Sequence, residues 1–457
     1  MNLLVKDKCF YKKMAVIAIP ISLQSMITIG VNMTDTVMVG KLGETSLSAT
    51  ALANQFVNIY QICCMGIAMG ASVLTSRFWG MQDITSLKKT ITLMLRLCIV
   101  LAVLFMLPTI LIPQLLMRMY TNDSAVIAQG VQYFKWMVYC YFLQGMTMTC
   151  TIVLRSVGQV NFPLFTSIGS FFVNILFNYM FIFGKLGVPR MEVEGAGVGT
   201  LIARVFEFSL ICGYFLFVDR KIGYRLKDLR MKCNSLIKDY VSISIPVFVS
   251  DSLLALGTSA VAMVMGRIGT GFVSANSITV VTQQLTTVII QGICHASCIM
   301  TGHTLGQGER EKAQQQGWTF LILGLVVGIL GGGLIKVLSR PIIGLYNITP
   351  ETAQIAGELM DAIAFIVIFQ SMNSILTKGV LRGGGDTKFL MVADIIFLWA
   401  ASLPLGILAG LVWHLDAFWI YVFLKIDQIC KSIWCVFRLR SGKWIKTFSK
   451  EKMNHAQ

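Results

Sequence analysis

Four acidic side chains lie inside long apolar stretches of the sequence: Asp35, Glu207, Asp251 and Asp394. A carboxylate placed in hydrocarbon costs a few kcal/mol on insertion scales, so its presence points first to function. The chemistry open to such a group is the reversible binding of a proton or small cation. Asp35 sits in Asn32-Met33-Thr34-Asp35-Thr36 with no basic residue one turn away, about 33 Å along its helix from Lys13 at about 1.5 Å per residue. It reads as functional. Asp251 falls about 20 Å along its helix from Lys238 by the same rise. Asp251 and Asp394 read equally as functional groups and as buried, hydrogen-bonded carboxyls. Glu207 shares a helix face with Arg204, three residues earlier, so that pair can neutralise itself. Amides add ligands: Gln55, Asn58, Asn174, Asn178, Gln283 and Gln284. Asn174 and Asn178 lie four apart, on one face. Hydrogen-bonding glue between helices is the alternative role for all six.

The elements that must hold these groups are membrane helices. The chain is 55% hydrophobic and only 13% charged, with a mean hydropathy of +0.72, whereas a soluble domain carries about 25% charged residues. Crossing a bilayer takes about 20 residues as helix. Apolar runs and their Gly/Pro punctuation predict spans at 14–40, 48–76, 90–113, 130–154, 161–184, 195–218, 240–266, 274–304, 316–339, 354–381, 388–412 and 416–437. The fold class is therefore an all-α membrane protein of twelve transmembrane helices.

The net charge of +16 could suggest a nucleic-acid binder, but its position excludes that reading. Lys and Arg cluster at Lys6–Lys13, in the midpoint segment from Arg220 to Lys232, and in a tail that includes Arg438, Lys446, Lys450 and Lys452. Short basic loops beside spans mark the cytoplasmic side. Both termini are expected there, in a multi-pass plasma-membrane protein. The twelve cysteines fall mostly inside spans without a Cys-x-x-Cys pair and read as small apolar packers. Four histidines without ligand spacing argue for no metal site and no cofactor. Gly195-Ala196-Gly197-Val198-Gly199 has the look of a phosphate loop, but it opens a span with no strand before it, so close helix packing is the expected role.

The chain also repeats itself. An offset of 226 residues places Ile19-Pro20 on Ile245-Pro246, Gly40 on Gly266, Gly66 on Gly292 and Gly80 on Gly306. An offset of 227 places Val153-Leu154-Arg155 on Val380-Leu381-Arg382 and Gly158 on Gly385. Each half carries six spans, so the copies enter the membrane in the same direction, and parallel repeats put a substrate path between lobes. The expected organisation is an N-terminal lobe over 1–218, a basic cytoplasmic linker over 219–239, a C-terminal lobe over 240–440 and a basic tail over 441–457. Asp35 falls on Val261 and Asp251 on Ser25 under the first offset. The lobes are thus related in fold but not in chemistry.

Three stretches together resemble the multidrug and toxic-compound extrusion (MATE) family: Asp35-Thr36-Val37-Met38-Val39-Gly40-Lys41-Leu42-Gly43, Leu381-Arg382-Gly383-Gly384-Gly385-Asp386-Thr387, and Phe181-Ile182-Phe183-Gly184 leading to Glu194-Gly195-Ala196-Gly197. The resemblance implies two six-helix bundles around a central cavity, alternating access, and export of amphipathic organic cations by a monomer in exchange for H⁺ or Na⁺. It implies cation coupling at Asp35, with Na⁺ a possible occupant, beside Asn174 and Asn178. Some members carry Asp where this chain has Asn178, and many carry Glu near Leu254, a turn beyond Asp251. Asp251 and Asp394, with Gln55, Gln283 and Gln284, are the candidates for a second acidic cluster or substrate contacts. A lipid-linked saccharide flippase shares this architecture but favours a strongly cationic cavity, whereas the intramembrane charge here leans acidic. A membrane-embedded enzyme needs converging catalytic groups, and none is found.

Overall fold

The computed structural model describes residues 4–344 and 348–447. Lys450, Lys452 and His455 of the expected basic tail lie outside them. Eleven helices among the described residues are long and apolar enough to cross a membrane. The first six are Lys8–Gly40, Glu44–Gly80, Ile84–Leu111, Ser124–Ser156, Asn161–Phe183 and Glu192–Val218. The seventh to eleventh are Asn234–Ile268, Thr270–Gly306, Arg310–Ile343, Pro350–Leu381 and Thr387–Val412. The twelfth expected span is present as two pieces, Ala417–Leu424 and Ile426–Arg440, broken at Lys425. Neither piece, of 8 and 15 residues, is long enough to cross a membrane by itself.

Local chemistry sets the ends of these helices. Asp83 caps the third by accepting the Ser86 N–H at 3.0 Å, and Asp123 caps the fourth by accepting that of Ala125 at 2.9 Å. The repeat is visible in backbone dihedrals: Gly158 and Gly385 close the fourth and tenth helices with φ of 80° and 85°. A side chain at either place would be strained.

The chain divides into two compact units. One comprises Leu23–Thr75 and Asp83–Ser244; the other comprises Met1–Ser22, Ser76–Gln82 and Ile245–Gln457. The basic midpoint segment, expected as a separate solvated linker, belongs to the first unit and is ordered. Asp219 is buried and accepts from Gln159 at 2.9 Å and from the Ile222 N–H at 3.0 Å. Lys88 on the third helix reaches Asp228 at 3.0 Å and the Gly223 carbonyl at 2.6 Å. The start of the expected tail is likewise docked within the second unit, where Trp444 is fully buried and donates to Gln314 at 2.7 Å.

Aromatic packing stiffens the first unit. Tyr60 and Tyr141 meet edge to face at 4.9 Å, and the Tyr60 hydroxyl donates to the Tyr141 carbonyl. Phe134, Met137 and Val57 join the same cluster. In lipid such van der Waals packing, rather than escape from water, holds helices together.

Candidate functional site

A cavity of about 370 Å³ lies within the first unit. The first helix presents Thr28, Asn32 and Asp35 to it; the second presents Asn54, Asn58 and Gln61, spaced i, i+4, i+7 along one face. Tyr133 and Gln144 of the fourth, Ser170 and Asn174 of the fifth, and Arg204 and Glu207 of the sixth add to its polar lining. The wall is amide and hydroxyl rich, and three of its residues are charged: Asp35, Arg204 and Glu207.

Asp35 is held by the fifth helix. Asn178 donates through Nδ2 to Asp35 Oδ1 at 2.6 Å and to Asn174 Oδ1 at 3.2 Å. The four-residue spacing read from the sequence delivers both amides to one carboxylate. No basic group stands within ion-pair distance of Asp35 among the described residues; Arg204 pairs instead with Glu207 at 2.8 Å. Arg204 is nonetheless close enough for its charge to act on Asp35.

The glycine string that opens the sixth helix makes this geometry possible. A Cβ on Gly195 would lie 2.6 Å from the Phe181 backbone, and one on Gly199 would lie 2.1 Å from Asn178 Oδ1 and 2.8 Å from its backbone nitrogen. Only hydrogen fits at both. The string packs helices closely, as expected for small residues in a membrane.

Other sequence candidates are placed elsewhere. Gln55 is exposed and off the cavity, because one residue turns the helix by about 100° from Asn54. Gln284 is exposed as well. Gln283 is engaged with Gln370 at 2.9 Å and with Tyr421 at 3.4 Å, so it serves as interhelical glue. Asp251 and Asp394 do not form an open acidic cluster. Arg382 clasps Asp251 through two nitrogens, at 3.0 and 3.4 Å. Lys431 lies 3.0 Å from Asp394 and 2.9 Å from Asp427. Ser250 donates to Asp394, and Gln428 to Asp427 at 2.7 Å. Each carboxylate is met by cations and donors, as burial of charge requires.

Arg204, Asn54 and Gln61 are members of the cavity wall that sequence reasoning missed as site residues. Helical phase from Asn58 could have found the two amides. Nothing in the sequence shows that Arg204 and Asp35 share a cavity.

The MatE family model matches residues 20–180 and 246–429, which is most of the chain. The chain belongs to the MATE family. This MATE chain is therefore a multi-pass membrane transporter and not an enzyme. It is 24% identical over 95% of its length to the Probable multidrug resistance protein NorM of Thermotoga maritima, of which it covers 93%. It is also 24% identical to the Uncharacterized transporter YisQ of Bacillus subtilis, covering 90% of each chain. Among solved structures, the Vibrio cholerae MATE transporter VcmN in a mutant form superposes with a TM-score of 0.86 at 16% identity, covering 95% of this chain and 97% of that one. A MOP superfamily transporter of Pyrococcus furiosus superposes with a TM-score of 0.83 at 19% identity, covering 95% and 97%. At these identities the solved structures establish the twelve-helix MATE fold.

Proposed function

We propose that this chain exports small organic cations across a bacterial cell membrane in exchange for H⁺ or Na⁺, working as a monomer with both termini in the cytoplasm. The names of the NorM relatives support a multidrug range of cargo. One observation carries the reading: Asp35 stands at a polar cavity, held by the amide of Asn178 rather than by a permanent basic partner. A carboxylate committed to an ion pair cannot take up and release a cation. One presented by neutral amides can, because they orient it without neutralising it.

The cycle requires two states that differ in affinity for both ion and cargo. With Asp35 charged, the cavity favours a cation; a proton or Na⁺ on Asp35 removes that attraction and releases the cargo. Aromatic and aliphatic walls formed by Tyr133, Met137 and Phe171 accept flat amphipathic bodies without demanding one shape.

Efflux of a fluorescent cation from proteoliposomes, with pH and Na⁺ gradients imposed separately, tests this function. Asp35→Asn should abolish gradient-driven efflux while leaving the protein inserted and monodisperse. Full efflux by that variant removes Asp35 from the mechanism.

A further inference from the structure

The sixth span of each unit carries a cation at the same repeat position. Arg204 and Lys431 are related by the offset that relates Arg155 to Arg382. Each faces two carboxylates: Glu207 and Asp35 in the first unit, Asp427 and Asp394 in the second. The two sets are built differently. Lys431 is 2% exposed and touches both of its carboxylates, so its triad is closed. Arg204 is 30% exposed and touches only Glu207, leaving Asp35 across a cavity.

We propose that Arg204 is a tethered counter-cation that limits the cavity to one uncompensated carboxylate, so that the site exchanges monocationic organic compounds and rejects dications. This rests on the exporter reading above and specifies its cargo. Arg204 cancels Glu207, and Asp35 remains for a single guest charge. The second charge of a dication would enter a desolvated site with no partner, which is a penalty rather than a gain. The same count makes the exchange of one H⁺ or Na⁺ for one cargo molecule electrically neutral.

The test uses ethidium and propidium, which share a ring system and carry one and two permanent positive charges. Wild-type protein in proteoliposomes should export ethidium and discriminate against propidium by about tenfold or more, the scale of one unpaired charge. Arg204→Gln should raise the propidium-to-ethidium ratio by about tenfold. Arg204→Lys should keep the wild-type ratio, and the double change Arg204→Gln with Glu207→Gln should restore it. Should Arg204→Gln fail to fold, Glu207→Gln supplies the count from the other side: Arg204 then cancels Asp35, and ethidium export should fall about tenfold.

Equal export of both dyes by wild-type protein overturns the proposal. So does an unchanged ratio in folded Arg204→Gln, or a double variant that keeps the single variant's ratio. Ethidium export that Asp35→Asn abolishes upholds the exporter reading whatever the ratio shows, while failure of wild-type protein to move either dye overturns both.

Discussion

Arg155 and Arg382 occupy equivalent places under the second offset, and their partners show what a difference in side chain means. In the second unit Arg382 clasps Asp251. In the first unit the equivalent Arg155 donates to Gln24, which itself donates to Ser167 at 2.8 Å. One duplicated arginine thus rests on a carboxylate and the other on an amide. Removing one member of a buried pair costs about 3–5 kcal/mol, because the remaining charge is stranded. Asp251→Ala should therefore unfold at markedly lower temperature than wild-type protein. Asp251→Gln, which copies the arrangement at Gln24, should lose less than half as much. Thermal unfolding in detergent measures both, and equal losses would sink the equivalence of the two sites.

The fifth and sixth helices act as one element at the cavity. Because Gly199 lies against Asn178, any side chain there must push apart the helices that hold Asp35. Gly199→Ala should destabilise the protein by about 1–3 kcal/mol, the ordinary cost of overpacking, and reduce ion-driven efflux at least as severely as it reduces stability. Gly213→Ala, in the same span with nothing within 4 Å of its added carbon, is the control and should be silent in both assays. Much of this element was legible beforehand. Asn174 and Asn178 were readable as one face, and the glycine string as a packing seam, since both follow from helical spacing. The polar face on the second helix was legible only through phase: Asn54 and Gln61 share the face of Asn58, whereas Gln55 does not, and the hydroxyl of Tyr133, which reaches Asn54 at 3.2 Å, meets that face.

At the scale of the whole molecule, hydropathy and the internal repeat were enough to expect twelve helices and the family's fold, because both depend on periodicity rather than on contacts. Charge pairing across helices depends on contacts, which is why the basic partners of Asp251 and Asp394 emerge only in three dimensions. Orientation in the membrane follows from the basic loops and has its own test. Cys9 is exposed and near the N-terminus, while the other cysteines are buried or half-buried. A membrane-impermeant maleimide should label Cys9 in inside-out vesicles and leave it untouched in intact cells. Labelling from outside would reverse the assigned topology.

The make-up of the second unit bears on how the protein is born. It takes in residues 1–22 and 76–82 together with everything from Ile245 onward. A ribosome delivers those early stretches long before their companions leave the exit tunnel. The start of the first helix must therefore wait in the bilayer, without its final neighbours, for about half of translation. Biogenesis of this unit cannot proceed strictly from front to back, and the insertion machinery must shelter an incomplete bundle until the last six helices arrive.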